Sequence, residues 1–300
     1  MVIIIKKYGQ LGNRLFPFAH FIAHSSRYQY KIYNLSFEDY AEFFSGIENV
    51  YFVGFPKKSK IDVPKVFSKE IRKLIFVLVE VFVDQCVRFK FLESRFHQII
   101  PYTTEYYHPS INNFNAIVKK KKIVFICNQF YFRDYETLWM YKHEINDFLK
   151  INSIHANTCQ KLISQVKNGA DIIIGVHIRG KDFRTWMDGK YFFDIDVYIE
   201  AMKKSEALFS EKVSFLLCSD ENRENINFEE MNVHFCTGHI VEDMYCLSMC
   251  NYLIGGYSSY LYWASFYGDV PLFSVLDKDI FQYSLSLNDF KTIQEYGTFP

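Results

Sequence analysis

No CxxC pair occurs anywhere in the 300 residues. The seven cysteines are scattered and odd in number, and Cys246 with Cys250 has no second ligand pair at zinc-site spacing. That excludes a zinc ribbon and a disulfide framework, and it predicts buried free thiols in a reducing compartment. Surplus charge is absent too: Lys plus Arg and Asp plus Glu are 34 each. A general nucleic-acid binder needs clustered basic charge, so nucleic acid is not an expected partner. No apolar run is long enough to span a bilayer; the best, LIFVLVEVFV at 74–83, is short and carries Glu80. It reads as a buried or partner-facing helix, and Lys69, Arg72 and Lys73 ahead of it leave a peripheral membrane contact open. The opening MVIIIKKYGQ places its lysines after the short apolar run, the reverse of a signal peptide. The expected location is therefore the cytoplasm, with attachment to the inner membrane face as the one membrane option. There is no internal repeat and no low-complexity tract.

What is present is enough apolar sequence for a full core: 49% hydrophobic against 23% charged. Aromatics reach 19%, with 31 Phe and 22 Tyr. Biased base composition is the simplest account, and although sugar-binding surfaces also use aromatics, a global excess does not locate one.

Residues 2–5 form a continuous apolar run suited to a central strand. The loop KKYGQLGN follows, and from Leu15 the apolar spacing is helical. Pro17 fits such a helix only near its first turn, so Asn13 is expected at or near the N-cap. Residues 49–53 read as a strand, 68–96 as mostly helical, 123–127 as a clear strand, and 139–150 and 154–166 as helices. The turn KNGAD at 167–171 is the candidate boundary between domains 1–166 and 167–300. Beyond it, strands at 172–178, 213–218, 232–236 and 252–254 alternate with helices at 196–209, 241–250 and from 258. Such alternation predicts a parallel, doubly wound sheet.

In such sheets ligands bind beyond the carboxyl ends of the strands. Three predicted strand ends carry polar clusters: His177, Arg179 and Asp182; Ser219, Asp220 and Glu221; and Gly255, Gly256, Tyr257, Ser258 and Ser259. Strand alternation puts Gly175, His177 and Arg179 on one face and Val176 and Ile178 on the other, so one face reads as core and the other as turning cationic. The third cluster brings two glycines and two hydroxyls to a helix start, where backbone N–H groups and the helix dipole favour an anion. Arg179 offers a bidentate fork to a diphosphate. Residues 175–182 (GVHIRGKD) come close to a phosphate loop, but Asp182 stands where a hydroxyl should hold Mg²⁺, and Val176 and Ile178 belong to a strand. No GxGxxG follows the first strand, which argues against a nicotinamide enzyme.

Four segments carry a family resemblance, in order, across residues 8–268. YGQLGNRLFPFAH resembles the GxLGNQxFxYA opening of bacterial α-1,2-fucosyltransferases. HIRGKDF resembles the HxRRxDY motif of the wider fucosyltransferase superfamily, and FLLCSDEN resembles its FxxFSDD segment. VEDMYCLSMCNYLIGGYSSYLYWASFYG resembles its DxxxMSxCxxxIxxNSSFSWWGA stretch. The resemblance implies an α/β protein of GT-B type, two Rossmann-like domains facing a cleft, with the last helix able to pack back on the N-terminal domain. It further implies a GDP-fucose donor, a glycan acceptor, no metal or other cofactor, inversion at the anomeric carbon and, with the bacterial members, an α-1,2 linkage. Arg179 would bind the diphosphate and stabilise the leaving group. His177 and Asp182 would line the nucleotide site, Asp220 and Asp243 match functional acids, and Ser258 and Ser259 would meet phosphate. Gly12 and Asn13, in the N-terminal motif, would close over pyrophosphate and fucose.

Two positions depart from the pattern: Gly180 replaces the second arginine, and Tyr257 replaces the asparagine before the serines. They motivate two alternatives, a transferase for another nucleotide sugar and an inactive glycan-binding relative. His20, Glu38 and Asp39 are the candidate general bases on the acceptor side. Acceptor identity and oligomeric state are not encoded in any motif.

Overall fold

The protein is described by a computed structural model covering residues 1–47, 53–56, 65–101, 113–127, 132–221, 228, 231–277, 279–282 and 284–297, without the side chains of 65–69 and 279. The strand expected at 49–53 falls outside these residues except for Val53. The chain forms two compact units, Met1–Asn152 and Ser153–Pro300.

Unit 1 opens with β1 (Val2–Ile4), α1 (Leu11–Tyr28) and β2 (Ile32–Asn34), followed by a 3₁₀ segment, Leu35–Phe43. Then come β3 (Gly54–Phe55), α2 (Lys65–Arg88), β4 (His97–Ile100), α3 (Phe114–Lys120) and β5 (Ile123–Ile126), and finally α4 (Tyr135–Met140) and α5 (Lys142–Phe148). The sheet order is β3-β2-β1-β5-β4, with only β3 antiparallel. β1 is central because its run is apolar on both faces. α1 is buried on almost every side, which suits its Phe- and Ala-rich sequence. Its N-cap is Gln10, so Asn13 lies near the cap, inside the first turn. Pro17 consequently sits in the helix interior. Gly9 makes the turn into α1 with φ +57°, a left-handed value that favours glycine.

Unit 2 opens with α6 (Ser153–Lys167), β6 (Ile172–Ile178), two 3₁₀ turns (Asp182–Arg184 and Trp186–Gly189) and α7 (Ile195–Glu206). It continues with β7 (Val213–Ser219), β8 (Val233–Phe235), α8 (Ile240–Leu247), β9 (Tyr252–Gly255), α9 (Ser259–Gly268), β10 (Leu272–Ser274) and α10 (Ile293–Tyr296). All five strands are parallel, in the order β10-β9-β6-β7-β8. On one face Ile174, Val176 and Ile178 of β6 pack with Phe193, Val197, Tyr198 and Met202. On the other face a Cβ at Gly175 would lie 2.7 Å from Leu253 Cδ2 and 2.8 Å from Leu247 Cδ2. Both faces of β6 are therefore core along the strand, and the second face turns cationic only at its exit, with Arg179.

α6 falls in the second unit, where His155 Nδ1 bonds Glu242 Oε1 at 2.8 Å. The division thus lies at 152/153, before the helix and not at the 167–171 turn after it. α10 also belongs to unit 2: the Tyr296 hydroxyl donates to the Leu272 carbonyl at 3.0 Å. All seven cysteines are free and buried. Among the described residues no helix is long and apolar enough to cross a membrane.

Candidate functional site

The order of strands in unit 2 locates the site. From β6 the chain runs through β7 to β8 on one side, then returns to build β9 and β10 on the other. β6 and β9 are neighbours, with His177 beside Gly255, yet their exit loops lead to opposite flanks. Such a switch point leaves a crevice at the strand ends, where ligands of open α/β sheets bind.

Arg179 leaves β6 at this point. Its Nε and Nη2 donate to the two carboxylate oxygens of Asp182 at 2.9 and 2.8 Å, and Nε also lies 3.4 Å from Asp220 Oδ2. Asp220, at the exit of β7, accepts the Gly180 N–H at 2.8 Å. Burial pushes the Asp182 carboxyl up, but the Arg179 hydrogen bonds and charge outweigh it and hold the carboxyl below its ordinary range. The Arg179 side chain is 17% exposed. One edge is held by Asp182, and the Nη1 edge has no ion-pair partner among the described residues.

Gly180, where the family pattern has an arginine, is not an empty position. A Cβ there would meet the Glu221 carboxylate, which is held by Arg184 Nη2 at 2.6 Å. The rim thus sets Arg179, Lys181 and Arg184 against Asp182, Asp220 and Glu221 and is locally balanced in charge. Arg184 was not foreseen from sequence; nothing in its spacing marks it, because its partner lies in another strand's loop.

His177 is buried and stacks on Tyr260, ring centroids 5.0 Å apart. Desolvation, then the nearby Arg179 charge, lower its pKa to about 3. It adds no charge at neutral pH, and its Nδ1 has no hydrogen-bond partner among the described residues.

At the other bank, β9 ends in Gly255 and Gly256. A Cβ on Gly255 would lie 2.4 Å from Leu261 Cδ2 and 2.7 Å from the His177 carbonyl, so glycine lets β9 lie against β6 and α9 together. Ser258 is the N-cap of α9 but makes no side-chain capping bond, and Ser259 is the first helical residue. The first-turn N–H groups of α9 are thus not capped by Ser258, as suits an anion. Tyr257 stacks on Tyr191 at 4.9 Å, extending a row through Trp186 to Phe183, which lies under Arg179. That row, too, was illegible in the sequence, where its members are scattered among many aromatics.

Asp243 belongs to a different task. It is buried in the first turn of α8 and accepts from Thr237 Oγ1 at 2.9 Å and from the Gly238 N–H at 3.0 Å. It braces the β8–α8 loop, a structural task beside the donor role expected of it. Nearby, ligand atoms of His155, His239 and Glu242 lie within 4.8 Å of one another, spacing that a metal ion could use. His155 already bonds Glu242, and His239 caps α8 through Nδ1.

Unit 1 has a charged cluster at the ends of β1 and β2. Lys7 Nζ contacts Glu38 Oε1 at 2.7 Å and Asp39 Oδ1 at 3.1 Å. Arg14 contacts Asp39 at 2.7 Å and donates to the Gly9 and Ser36 carbonyls. Asp39 is pushed up by burial but held below its usual range by Arg14 and Lys7. Glu38 is buried, and its Oε2 has no hydrogen-bond partner among the described residues. Gly12 and Asn13 occupy the first turn of α1, beside the Gly9 turn. His20 is fully buried, and its Nδ1 receives the Asp134 N–H at 3.0 Å. Desolvation, then Arg133, hold its pKa well below the usual value, so the ring is neutral near pH 7. Two clefts among the described residues, one in unit 1 beside Gly46 and one on α6, are lined by none of these residues.

The sequence matches the glycosyl transferase family 11 over residues 91–270, more than half its length. The chain belongs to that family. It is a glycosyltransferase. No curated protein sequence matches it. Among solved structures it is similar to an Arabidopsis thaliana FUT1 variant in complex with GDP, at 14% identity and a TM-score of 0.58, covering 91% of this chain and 70% of that one. It is also similar to the fucosyltransferase NodZ from Bradyrhizobium, at 15% identity and 0.51, covering 90% and 93%. A third likeness is POFUT1 in complex with GDP, at 11% and 0.50, covering 91% and 97%. At such identities the likeness shows a shared fold, which is α/β with two largely parallel sheets in this family 11 transferase.

Proposed function

We propose that this family 11 transferase moves fucose from GDP-fucose to a glycan hydroxyl, forming an α-1,2 linkage with inversion and without a metal ion. In this reading it is of GT-B type, with two Rossmann-like units, and acts in the cytoplasm on glycan precursors. One observation carries the reading: Arg179 stands at the β6–β9 switch point, next to a helix start whose N-cap side chain makes no capping bond.

In the reaction the bond between the anomeric carbon and the diphosphate oxygen breaks, and negative charge grows on the leaving group. The transition state is oxocarbenium-like. Groups placed where charge develops stabilise it without reorganising. Arg179 supplies a fork for the diphosphate, and the N–H groups of α9 with Ser258 and Ser259 supply neutral donors. Asp182, largely exposed, can pass Arg179 to the phosphates and hydrate, or bond the nucleoside. Asp220 keeps the Gly180 backbone in place meanwhile. The His177 ring, neutral near pH 7, serves as a hydrogen-bonding wall and not as a charge. The acceptor hydroxyl attacks the opposite face of the sugar and gives up its proton. Glu38 is the preferred base, since Lys7 orients one oxygen and the other has no hydrogen-bond partner among the described residues. Gly12 and Asn13 are assigned to the donor's sugar-phosphate.

Thermal stabilisation by nucleotides tests the donor. GDP at 100 times its Kd should add about 2.7 kcal/mol of stability, with UDP adding nothing at the same concentration. Equal stabilisation by UDP would move the assignment to another sugar nucleotide.

A further inference from the structure

The structure assigns a second role to unit 1: docking on an anionic lipid surface through α2 and the basic segments that follow it. α2 has two apolar stripes. The inner one, Phe76, Val83 and Cys86, packs on Ile5, Ile99 and Phe125. The outer one is Leu74, Val77, Leu78, Val81 and Phe82, at i, i+3, i+4, i+7 and i+8, and these are 48% to 60% exposed. A water-facing helix of an isolated protein would carry polar residues there.

The stripe continues beyond the helix. Phe82 and Phe91 both flank His97, at 6.3 and 5.2 Å, and Phe96 neighbours Lys122. Phe89, Phe91 and Phe96 are 53% to 74% exposed. Between these aromatics stand Arg88, Lys90 and Arg95, and α3 ends in Lys119 and Lys120, with Lys122 just after it. Over residues 88–101 and 113–122 there are seven basic residues and one acid, Glu93, in a chain whose total charge is zero. Glu93 is taken up by Lys121 at 2.7 Å. The acids nearest the helix stripe, Glu80 and Asp84, are paired with Lys6 at 3.0 and 2.9 Å. Arg88, Lys90, Arg95, Lys119, Lys120 and Lys122 have no ion pair among the described residues.

Apolar side chains flanked by unpaired cations are what an acidic membrane interface recognises. The hydrocarbon groups enter the headgroup boundary, and the long basic side chains reach back to lipid phosphates. A second copy of the chain would bring the same cations together, so the charge selects lipid over self-association. The cations differ from those flagged by sequence: Arg72 is buried, and Lys73 faces Glu70.

The test is cosedimentation of the full chain with vesicles of phosphatidylcholine, alone or mixed with phosphatidylglycerol. Binding should need phosphatidylglycerol and weaken with salt. Replacing Lys119, Lys120 and Lys122 together by Gln should weaken partitioning roughly 100-fold, and Leu78→Ser with Val81→Ser at least about tenfold. Donor hydrolysis in solution should stay unchanged in both variants, showing that they fold and separating this proposal from the fucosyl-transfer reading. No binding, equal binding to both vesicles, or a dimer in light scattering that Leu78→Ser dissolves would overturn it.

Discussion

Arg179 leaves β6 with its charge already shared between Asp182 and Asp220, and in the proposed reaction a diphosphate would have to take it from them. Removing the side chain leaves two carboxylates that water can reach. Arg179→Ala should therefore keep its melting temperature and lose transfer by about 10²–10³-fold, the usual loss for one transition-state donor. Arg179→Lys should recover only part, because a point charge does not replace a fork. Turnover of GDP-fucose beside a thermal melt checks both, and normal turnover in the alanine variant would remove the residue from the mechanism. Asp243 gives the opposite expectation. Asp243→Ala leaves the Gly238 N–H and Thr237 hydroxyl without their acceptor, so stability should fall by about 1–3 kcal/mol while the KM for the donor holds. A large rise in KM would return Asp243 to the donor site.

At the scale of elements, the β9–α9 junction works because a glycine lets three segments meet. Gly255→Ala drives a methyl towards Leu261 and the His177 carbonyl, and the carbonyl is backbone that cannot swing aside. Overpacking of this kind costs about 1–3 kcal/mol, and denaturant titration of the variant should show it. An unchanged midpoint would mean that β9 and β6 can part freely. The strand ends of unit 2 were legible because buried parallel strands read as apolar runs that stop abruptly: β6 was placed at 172–178 and observed as Ile172–Ile178. β10, only three residues long, was missed because so short a run carries no period. Pro17 misled the reading of α1, since tertiary burial stabilises a helix that its sequence would start later.

For the molecule as a whole, acid should act through buried imidazoles. His20, His24 and His177 are neutral in the folded state: desolvation lowers all three, with Arg133, Arg27 and Arg179 adding to it, and His24 and His177 fall to about 3. The unfolded chain takes up protons near pH 6.5, so these groups' contribution is complete above that value. It is lost as pH falls from 6.5 towards 3, by up to about 1.4 kcal/mol per pH unit for each histidine. Urea melts between pH 7.5 and 5 check this; a flat midpoint would contradict the burial of these rings.

The sequence by itself determined the α/β alternation, the polar clusters at strand ends and the four ordered motifs, because local periodicity and residue type are properties of neighbours in the chain. Only the tertiary structure decided which clusters meet. It put Arg179 beside Asp220, filled the space at Gly180 with Glu221, turned Asp243 to its own loop and left one stripe of α2 uncovered. Those outcomes depend on sheet order and on side chains distant in sequence, and no single segment carries that information.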